Sequence, residues 1–413
     1  MEGWQTYKLD DIAKIKHGYA FKGEFFSEKP NKNILLTPGN FNIGGGFKSD
    51  KFKYYTGEIP RDYILCAGDV IVTMTDLSKN GDTLGYSALV PKIEGVNFLH
   101  NQRTGLLQLK FSSEVDINYL YWILRTKNYQ RYVVDSASGT TVKHTSPNRI
   151  LDYSWLFPPL PLQHRIAEIL DALDDKIELN RQMNHTLEAM TQALYKHHFV
   201  DDIDPENLPE GWRLGNVLEM ADLLSGGTPK TERKEYWNGG INWISAKDIT
   251  ENNNGFITET EKKISEQGLN NSAAKLLPKF TTVVSARGTV GKYCILSEEM
   301  AISQSNYGLK SKLQNSDFFI FLLVENMIQM MRQYAYGTVF DTITTKTFQE
   351  IEIVLPQSEF VLSFEEIIKP AFQQRLSLTK ENKSLMTIRD TLLPKLISGE
   401  IIPADLKNIE NQI

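Results

Sequence analysis

The chain has few cysteines, no long apolar run and little net charge. Cys66 and Cys294 are the only cysteines among 413 residues, too few for a disulfide framework or a zinc site. The best apolar run, at 318–324, is far shorter than the roughly 20 residues of a membrane span. The N-terminus is acidic and polar, whereas a secretory signal would be basic and then apolar. We therefore expect a reduced, cytoplasmic protein with no membrane association and no structural metal.

Common catalytic motifs are also missing. The sequence contains no GxxxxGK[ST] phosphate loop, no GxGxxG after a strand and no HExxH helix. The run Phe-Pro-Pro-Leu at 157–160 lacks the polar residue with which amino-methyltransferases hold a target amine. His197 and His198 are adjacent, so on a helix they point about 100° apart, which favours a solvated helix end over a metal site. The sequence thus offers no positive evidence for catalysis by this chain.

The net charge of −6 is unevenly distributed. Residues 1–158 carry a net charge of +3, whereas residues 159–210 carry −7. The two later segments, 211–357 and 358–413, each carry −1. A protein that held DNA by charge alone would have a stronger basic footprint. If this chain binds DNA, we expect a partner to supply part of the positive charge.

An internal repeat organises the chain. The tripeptide Glu-Gly-Trp at 2–4 recurs at 210–212, and Gly-Thr at 139–140 recurs at 337–338. The second offset, 198 residues, also relates Asn184 to Asn382 and persists over the whole helical part. A repeat this long with two copies indicates domain duplication with pseudo-two-fold symmetry.

Each repeat ends in a long amphipathic helix. Apolar residues of the first helix, from Pro161 to 199, recur at gaps of three and four, which is typical of a coiled-coil seam. The second helix repeats this stripe. There we expect Pro370 to kink or start the helix, and Pro394 followed by Gly399 to end it. The two helices would pair antiparallel, with Asn184 and Asn382 fixing the register. In the alternative, each helix packs only on its own globular part.

The parts before the helices have a mixed α/β pattern. Short strands are expected at 70–72, 106–109 and 282–284, and helices at 119–129 and 317–334. The predicted fold class is α/β (α+β), with two globular domains joined by two long antiparallel helices. The predicted segments are 1–158 (first globular domain), 159–200 (central helix), 201–210 (linker), 211–357 (second globular domain), 358–400 (C-terminal helix) and 401–413 (tail).

Polar loops occur at matched places in both repeats and are rich in Asn, Gln, Lys, Arg and Thr. Asn, Gln and Arg pair with adenine and guanine edges in the major groove, and Ser, Thr and Lys suit phosphates. Taken singly, many of these residues are typical of ordinary turns and strand ends. As a duplicated set, they indicate a DNA-binding surface. The candidate contact residues are Thr75, Lys79, Asn101, Arg103, Lys143, His144, Thr228, Lys230, Arg287, Gln304, Asn306 and Lys346.

The sequence resembles the specificity (S) subunits of type I restriction–modification systems. The resemblance is carried by several motifs in the order expected across the whole chain. They are Gly-Tyr-Ala-Phe-Lys at 18–22, Met-Thr-Asp-Leu-Ser at 74–78, His-Asn-Gln-Arg at 100–103, Thr-Val-Lys-His-Thr-Ser-Pro at 141–147, Leu-Pro-Leu-Gln-His-Arg-Ile-Ala at 160–167, Gly-Gly-Thr-Pro at 226–229 with Tyr-Trp at 236–237, Ser-Ala-Arg-Gly-Thr-Val-Gly at 285–291, Phe-Asp-Thr-Ile-Thr at 340–344 and Leu-Pro-Lys-Leu-Ile-Ser-Gly at 393–399.

The resemblance implies a non-catalytic subunit whose two target recognition domains each read half of a bipartite site in double-stranded DNA. The helices would set the gap between the half-sites. Two modification (M) subunits would bring S-adenosylmethionine, and restriction (R) subunits would add ATP- and Mg-dependent cleavage, so no cofactor belongs to this chain. The acidic helix, including Asp171, Asp174, Asp175 and Glu178, would face the M subunits. Rival hypotheses are a scaffold that does not read DNA and part of a fused nuclease or methyltransferase.

Overall fold

The computed structural model describes residues 3–111, 113–334 and 342–403. The Gly-Thr repeat at 337–338 and the Phe-Asp pair at 340–341 therefore lie outside the described residues, as does Glu2. The chain forms two compact units, each described here by itself. Unit 1 comprises Met1–Asp175 with Leu385–Ile413, and unit 2 comprises Lys176–Ser384. Each unit thus contains a segment of both long helices.

Unit 1 is built on one mixed sheet and one antiparallel sheet. Its five-stranded sheet has the order β3-β5-β4-β10-β6, and its four-stranded sheet has the order β2-β11-β7-β9. The pairs β1–β13 and β8–β12 complete it. The strands are β1 (Gln5–Lys8), β2 (Ala13–His17), β3 (Phe26–Ser27), β4 (Asn33–Leu36), β5 (Lys53–Tyr55), β6 (Ile64–Leu65), β7 (Val70–Thr73), β8 (Thr75–Asp76), β9 (Ser87–Leu89), β10 (Asn97–His100), β11 (Thr104–Leu109), β12 (Lys143–His144) and β13 (Ser154–Phe157).

The first helices of unit 1 are α1 (Leu9–Ile12), α2 (Ile117–Ile123), α3 (Lys127–Asp135) and α4 (Pro147–Leu151). One helix was expected over 119–129, and that expectation is wrong. The chain breaks after α2 because Thr126 turns away from helical geometry and its hydroxyl caps α3 by accepting the amide of Tyr129. α2 is almost wholly buried, with Tyr119, Leu120 and Trp122 at 0% exposure in the core.

Unit 2 repeats this plan. Its sheets have the orders β15-β23-β20-β21-β17 and β18-β16-β22-β19, with β14 paired to β24. The strands are β14 (Arg213–Gly215), β15 (Ala221–Ser225), β16 (Trp237–Ile244), β17 (Phe256–Ile257), β18 (Lys262–Ile264), β19 (Leu276–Leu277), β20 (Thr282–Ser285), β21 (Tyr293–Leu296), β22 (Met300–Ile302), β23 (Asn306–Ser311) and β24 (Ile353–Leu355). The shorter helices are α6 (Val217–Met220), α7 (Ala246–Glu251), α8 (Glu266–Asn270), α9 (Asp317–Tyr334) and α10 (Thr345–Glu350).

The strand pairings confirm the internal repeat. β2 pairs with β11 and β11 with β7 in unit 1, as β15 pairs with β23 and β23 with β20 in unit 2. β4 runs parallel to β10, as β16 runs parallel to β22. All four residues of β7 and of β20 are buried, which explains their nearly continuous apolar sequence.

One long helix follows the sheets of each globular part in the sequence. These helices are α5 (Leu160–Phe199) and α11 (Ser358–Ser398). In unit 1, Asp174 of α5 forms an ion pair with Arg389 of α11. In unit 2, Glu188 of α5 meets Arg375, and Tyr195 further along meets Phe364. Within unit 2, advancing along α5 meets earlier residues of α11, so the predicted antiparallel pairing is confirmed. No described helix is long and apolar enough to cross a membrane.

Pro370 does not start α11 and Pro394 does not end it, so these two expectations were wrong, whereas a kink at Pro370 stays a prediction. α11 begins at Ser358, well before Pro370, and continues beyond Pro394 to Ser398. A proline removes one backbone donor and clashes with the preceding turn, which usually ends a helix. Here Ile368 and Phe372 are fully buried around the first proline, and Leu396 is fully buried after the second. This packing outweighs the local cost, and Gly399, at φ +75°, ends the helix as predicted.

Candidate nucleic-acid interface

Three loop segments of unit 1 meet at the end of β7. The Met74 amide donates to the Arg103 carbonyl at 2.9 Å, and the Met74 carbonyl accepts from the Thr145 amide at 3.0 Å. Nearby, the Tyr19 amide donates to the His100 carbonyl at 2.9 Å. The motifs at 18–22, 74–78, 100–103 and 141–147 are therefore neighbours in space, although they are distant in sequence.

Unit 2 contains the same frame. The Ala286 amide donates to the Ser305 carbonyl at 2.9 Å, and the Ala286 carbonyl accepts from the Ile343 amide at 2.9 Å. The Gly227 amide donates to the Ile302 carbonyl at 3.0 Å. Each bond has its counterpart in unit 1, so the backbone itself aligns the two loop sets. We call these two sets the reading edges of units 1 and 2.

Thr75 and His144 lie side by side on the reading edge of unit 1. They are direct partners in the β8–β12 ladder, and the Thr75 hydroxyl is 3.2 Å from Nδ1 of His144. Thr75 is 5% exposed, whereas His144 is exposed. Thr75 thus holds the imidazole, and the imidazole faces solvent.

The loop after β8 carries Lys79 and contacts Lys143. Asp76 closes the loop by accepting from the Ser78 amide at 2.6 Å and from the Thr83 hydroxyl at 2.7 Å. Burial of Asp76 works to raise its pKa, but the donors from Ser78 and Thr83 together bring the pKa below its usual range. The charged carboxylate therefore orders the loop. Lys79 is exposed, and Lys143 packs against Gly81.

Asn101 and Arg103 belong to a tight turn between β10 and β11. The Asn101 side-chain oxygen accepts from the Arg103 amide at 2.9 Å, and Asn101 is 7% exposed. Its side chain therefore braces the turn. Arg103 is exposed beside it.

The predicted residues of unit 2 differ in accessibility. Lys230, Arg287 and Gln304 are exposed and Thr228 is half-buried. Asn306 is 1% exposed, and its amide donates to the Ile244 carbonyl at 3.2 Å and to the Ser303 hydroxyl at 3.0 Å. That amide faces the interior and braces the turn before β23.

Lys346 lies on α10, just beyond the reading edge. Thr344 caps this helix, and the preceding Ile343 is the residue bonded to Ala286. The Lys346 ammonium lies 3.2 Å from Glu350, and both side chains are largely exposed. An exposed pair of this kind is weak, so a phosphate could replace the carboxylate.

Sequence reasoning omitted two exposed residues of the reading edges. Gln102 occupies the place in unit 1 that Gln304 occupies in unit 2, because the flanking hydrogen bonds match at an offset of 202. Lys22 likewise corresponds to Lys230 at an offset of 208. Aligning the turns at 101–104 and 303–306 would have revealed the glutamine pair.

The predicted helix seam asparagines are in different situations. Asn382 is 9% exposed and accepts from Asn180 at 3.0 Å. Asn382 also donates to the Ile177 carbonyl at 3.2 Å. Asn184, half-buried, lies one turn further along α5. The polar contact across this seam therefore joins Asn180 to Asn382, and a register role for Asn184 remains a prediction.

The acidic face of α5 is partly internal. Asp174 binds both Arg125 and Arg389, and Asp171 accepts from the Trp122 indole at 2.7 Å. Burial raises the pKa of Asp171 to about 6, against the lowering effect of that indole. Asp175 and Glu178 are exposed. Of the four acids named from the sequence, these two are the more accessible to a partner, because Asp171 and Asp174 are half-buried. No metal-binding cluster of His, Cys, Asp or Glu occurs among the described residues.

Comparison with known proteins gives concordant matches. The model of a family described as the type I restriction modification DNA specificity domain matches residues 1–189 and again 209–369. The type I restriction enzyme HindI specificity subunit of Haemophilus influenzae is 27% identical, over 97% of this chain and 100% of that protein. The MjaIX specificity subunit of Methanocaldococcus jannaschii is 24% identical over 68% of each chain. The crystal structure of an S subunit from M. genitalium has a similar fold, with a TM-score of 0.58 and 18% identity over 95% of this chain and 96% of that one.

Proposed function

The chain belongs to the type I restriction–modification DNA specificity family, and we propose that the reading edge of each unit recognises one half of a bipartite duplex site. As a specificity subunit, the chain provides DNA recognition, and catalytic activities lie in other subunits of the system. The two long helices would set the gap between the half-sites.

The observation that carries this proposal is the duplicated frame of the reading edges. In both units, the same backbone hydrogen bonds bring three separate loops together. Apart from one glutamine that both turns share, the loops differ in the side chains that they expose, with Arg103 and His144 in unit 1 and Arg287 in unit 2. A constant frame with different exposed donors and acceptors is what two different half-sites require.

The candidate residues divide into two roles. The more accessible residues, all exposed except the half-buried Lys143, are proposed to touch bases or phosphates. Thr75, Asn101 and Asn306 are proposed to position the loops because they are buried and hydrogen-bonded. Thr228 is half-buried and could serve in either role. The proposed contact group comprises Lys79, Arg103, Lys143, His144, Lys230, Arg287, Gln304 and Lys346.

We further propose that two M subunits dock on the long helices and bring S-adenosylmethionine, and that R subunits join them for ATP- and Mg-dependent cleavage. On α5, the exposed acids Asp175 and Glu178 are close in sequence to Leu179 and Met183, which are 54% and 42% exposed. Exposed apolar groups beside charges are typical of a protein interface. Arginine or lysine side chains of a partner would complement the acids.

Reversal of the exposed acids tests this docking surface. The double variant Asp175→Lys and Glu178→Lys should lower co-purification with the M subunit without lowering the free energy of unfolding, because these side chains are solvated. Asp50→Lys, an exposed acid on a loop of unit 1, is the control and should leave co-purification unchanged. Normal co-purification of the double variant would contradict the assignment.

The test of the function is methylation mapping. The chain is expressed with its cognate M subunit, and N6-methyladenine is read across a genome; the M subunit without the chain is the control. A motif with two specified halves and an unspecified gap is expected. If a stable complex forms but methylation is absent or uninterrupted, the proposal fails and a scaffold becomes the better account.

A further inference from the structure

We propose that Gln102 and Gln304 are equivalent base-reading residues, each selecting an adenine in the half-site that its unit recognises. This inference rests on the proposed function and deepens it. It assigns one shared recognition element to two reading edges whose other exposed side chains differ.

Backbone geometry makes the two glutamines equivalent. The Thr104 amide donates to the Asn101 carbonyl at 2.9 Å, closing a four-residue turn, and the Asn306 amide donates to the Ser303 carbonyl at 3.1 Å, closing another. In each turn the second residue is glutamine. The third residue of each turn, Arg103 or Ser305, is bonded through its carbonyl to the central strand end, as described above.

Both turns are held from within. In unit 1, the Thr104 hydroxyl donates to the Asn101 carbonyl at 2.9 Å, and the Asn101 side chain binds the Arg103 amide. In unit 2, the side-chain amide of Asn306 donates to the Ser303 hydroxyl. A fixed turn lowers the entropy lost when its side chain binds a base.

A glycine at the matched place in each unit lets the neighbouring loop pack directly against the backbone of the turn. A Cβ on Gly18 would lie 2.0 Å from the Asn101 carbonyl oxygen, and one on Gly226 would lie 2.4 Å from the Ser303 carbonyl oxygen. Such distances exclude any side chain at either position. The adjacent loop therefore touches the turn backbone directly, and the glutamine side chain is left on the solvent side.

The chemistry of the amide specifies its ligand. Both glutamines are exposed, and among the described residues no side-chain hydrogen bond engages either amide. A glutamine amide donates to N7 and accepts from the N6 amino group of adenine in the major groove. Because glutamine is neutral, binding to phosphate would use only half of this capacity. The position next to it is Arg103 in unit 1 and Ser305 in unit 2, so the neighbouring base is free to differ between half-sites.

The test uses the complex of this chain with its M subunits. Bound duplexes are selected from a library with a randomised insert and sequenced, for wild type and for Gln102→Ala, Gln304→Ala, Gln102→Glu and Gln304→Glu. Gln267→Ala, an exposed glutamine on α8, is the matched control and should leave the motif unchanged.

We expect Gln102→Ala to remove the preference for one adenine in one half-site and to weaken binding of the wild-type motif roughly tenfold. Gln304→Ala should do the same in the other half-site only. The Glu variants should shift the preferred base at the same position towards cytosine, whose amino group a carboxylate accepts.

Three results would overturn the assignment. They are an unchanged motif in the alanine variants, a change in both half-sites from one variant, and an equal loss of affinity for all sequences. The last would identify a phosphate contact. If the wild-type complex itself selects no bipartite motif, the proposed function fails as well, so the two failures are distinguishable.

Discussion

Glu365 of α11 is a buried carboxyl group that caps the start of α9. It is 3% exposed and accepts from the Phe319 amide at 2.7 Å and from the Phe318 amide at 3.1 Å. The pKa of Glu365 is raised to about 7, chiefly by burial and to a lesser extent by Asp317, although the two amides and Lys369 work to lower it. In unit 1, Gln163 performs the corresponding task without a charge, accepting from the Asp116 amide at 3.0 Å.

This pKa predicts a pH-dependent stability. The folded state holds a proton that the unfolded state, with an ordinary pKa of 4.5, releases, so the free energy of unfolding should fall as the pH rises from about 4.5 to about 7. The loss attributable to Glu365 should be on the order of 3 kcal/mol. Denaturant unfolding at several pH values should show a flatter pH slope for Glu365→Gln, while the exposed neighbour substitution Glu366→Gln keeps the wild-type slope. Equal slopes in all three proteins would refute the prediction.

Individual side-chain roles show where sequence reasoning stops. The sequence places Asp171 and Asp174 in an acidic run, which favours a solvated face. Their partners, Trp122 and Arg125, lie in α2 and in the bend after it, about 50 residues earlier in the sequence. The local spacing of residues does not predict that contact. The loop motifs were found because they recur, whereas the burial of Asn306 depends on its neighbours in space.

At the scale of elements, α5 is joined to the α2–α3 bend by an ion triad that includes the buried Arg125 and the half-buried Asp174. Arg125 binds Asp174, its guanidinium lies 4.2 Å from the centre of the Trp122 ring, and Arg389 of α11 binds the same carboxylate at 2.6 Å. Arg125 is 4% exposed. In unit 2 the equivalent place, counted from the helix start, is occupied by Glu325, which accepts from Tyr293 and Gln192 at 2.7 Å. The repeat predicts that a polar residue makes a contact at this place, but not whether its charge is positive or negative.

Loss of this joint should be costly. Arg125→Met leaves Asp174 with one buried partner fewer, and we expect a loss of about 3 kcal/mol in the free energy of unfolding. Lys8→Met is the control, because it removes an ion pair of 2.6 Å to Asp152 that is largely exposed, and it should cost much less than Arg125→Met. Denaturant unfolding of the full chain compares the two. Similar costs for both variants would contradict the assigned role of burial.

The ends of α11 are decided by burial of its apolar stripe and not by the positions of its prolines. The apolar stripe predicted both long helices, and Gly399 predicted the end of α11. The predicted segment 358–400 covers α11, but Pro370 was also considered as a possible start, although the stripe already includes Phe364 and Ile368 before it. Phe364 is 2% exposed and Ile368 is fully buried. This buried face extends α11 back to Ser358.

For the whole molecule, duplication explains how much the sequence could predict. Two copies of one strand plan need the same buried residues, so offsets of 198 to 212 persist where strands and helices pair. The reading edges obey the same backbone frame, but their exposed residues diverge because each would meet a different half-site. The frame is therefore predictable from the repeat, and the bases are not.

The division between helices and reading edges makes a prediction for the whole chain. One extra heptad inserted between Asp175 and Lys176 and another between Ser384 and Leu385 would fall at the boundaries of the two units. A whole heptad preserves the seam. It adds about 10 Å of helix, or roughly three base pairs at about 3.4 Å each.

Methylation mapping should show a longer gap and unchanged half-sites. The same insertion in the linker at 201–210 should leave the gap as it was, because the linker lies outside both long helices. A changed half-site in the helix variant would mean that the helices help to read bases, and an unchanged gap would mean that they do not set it.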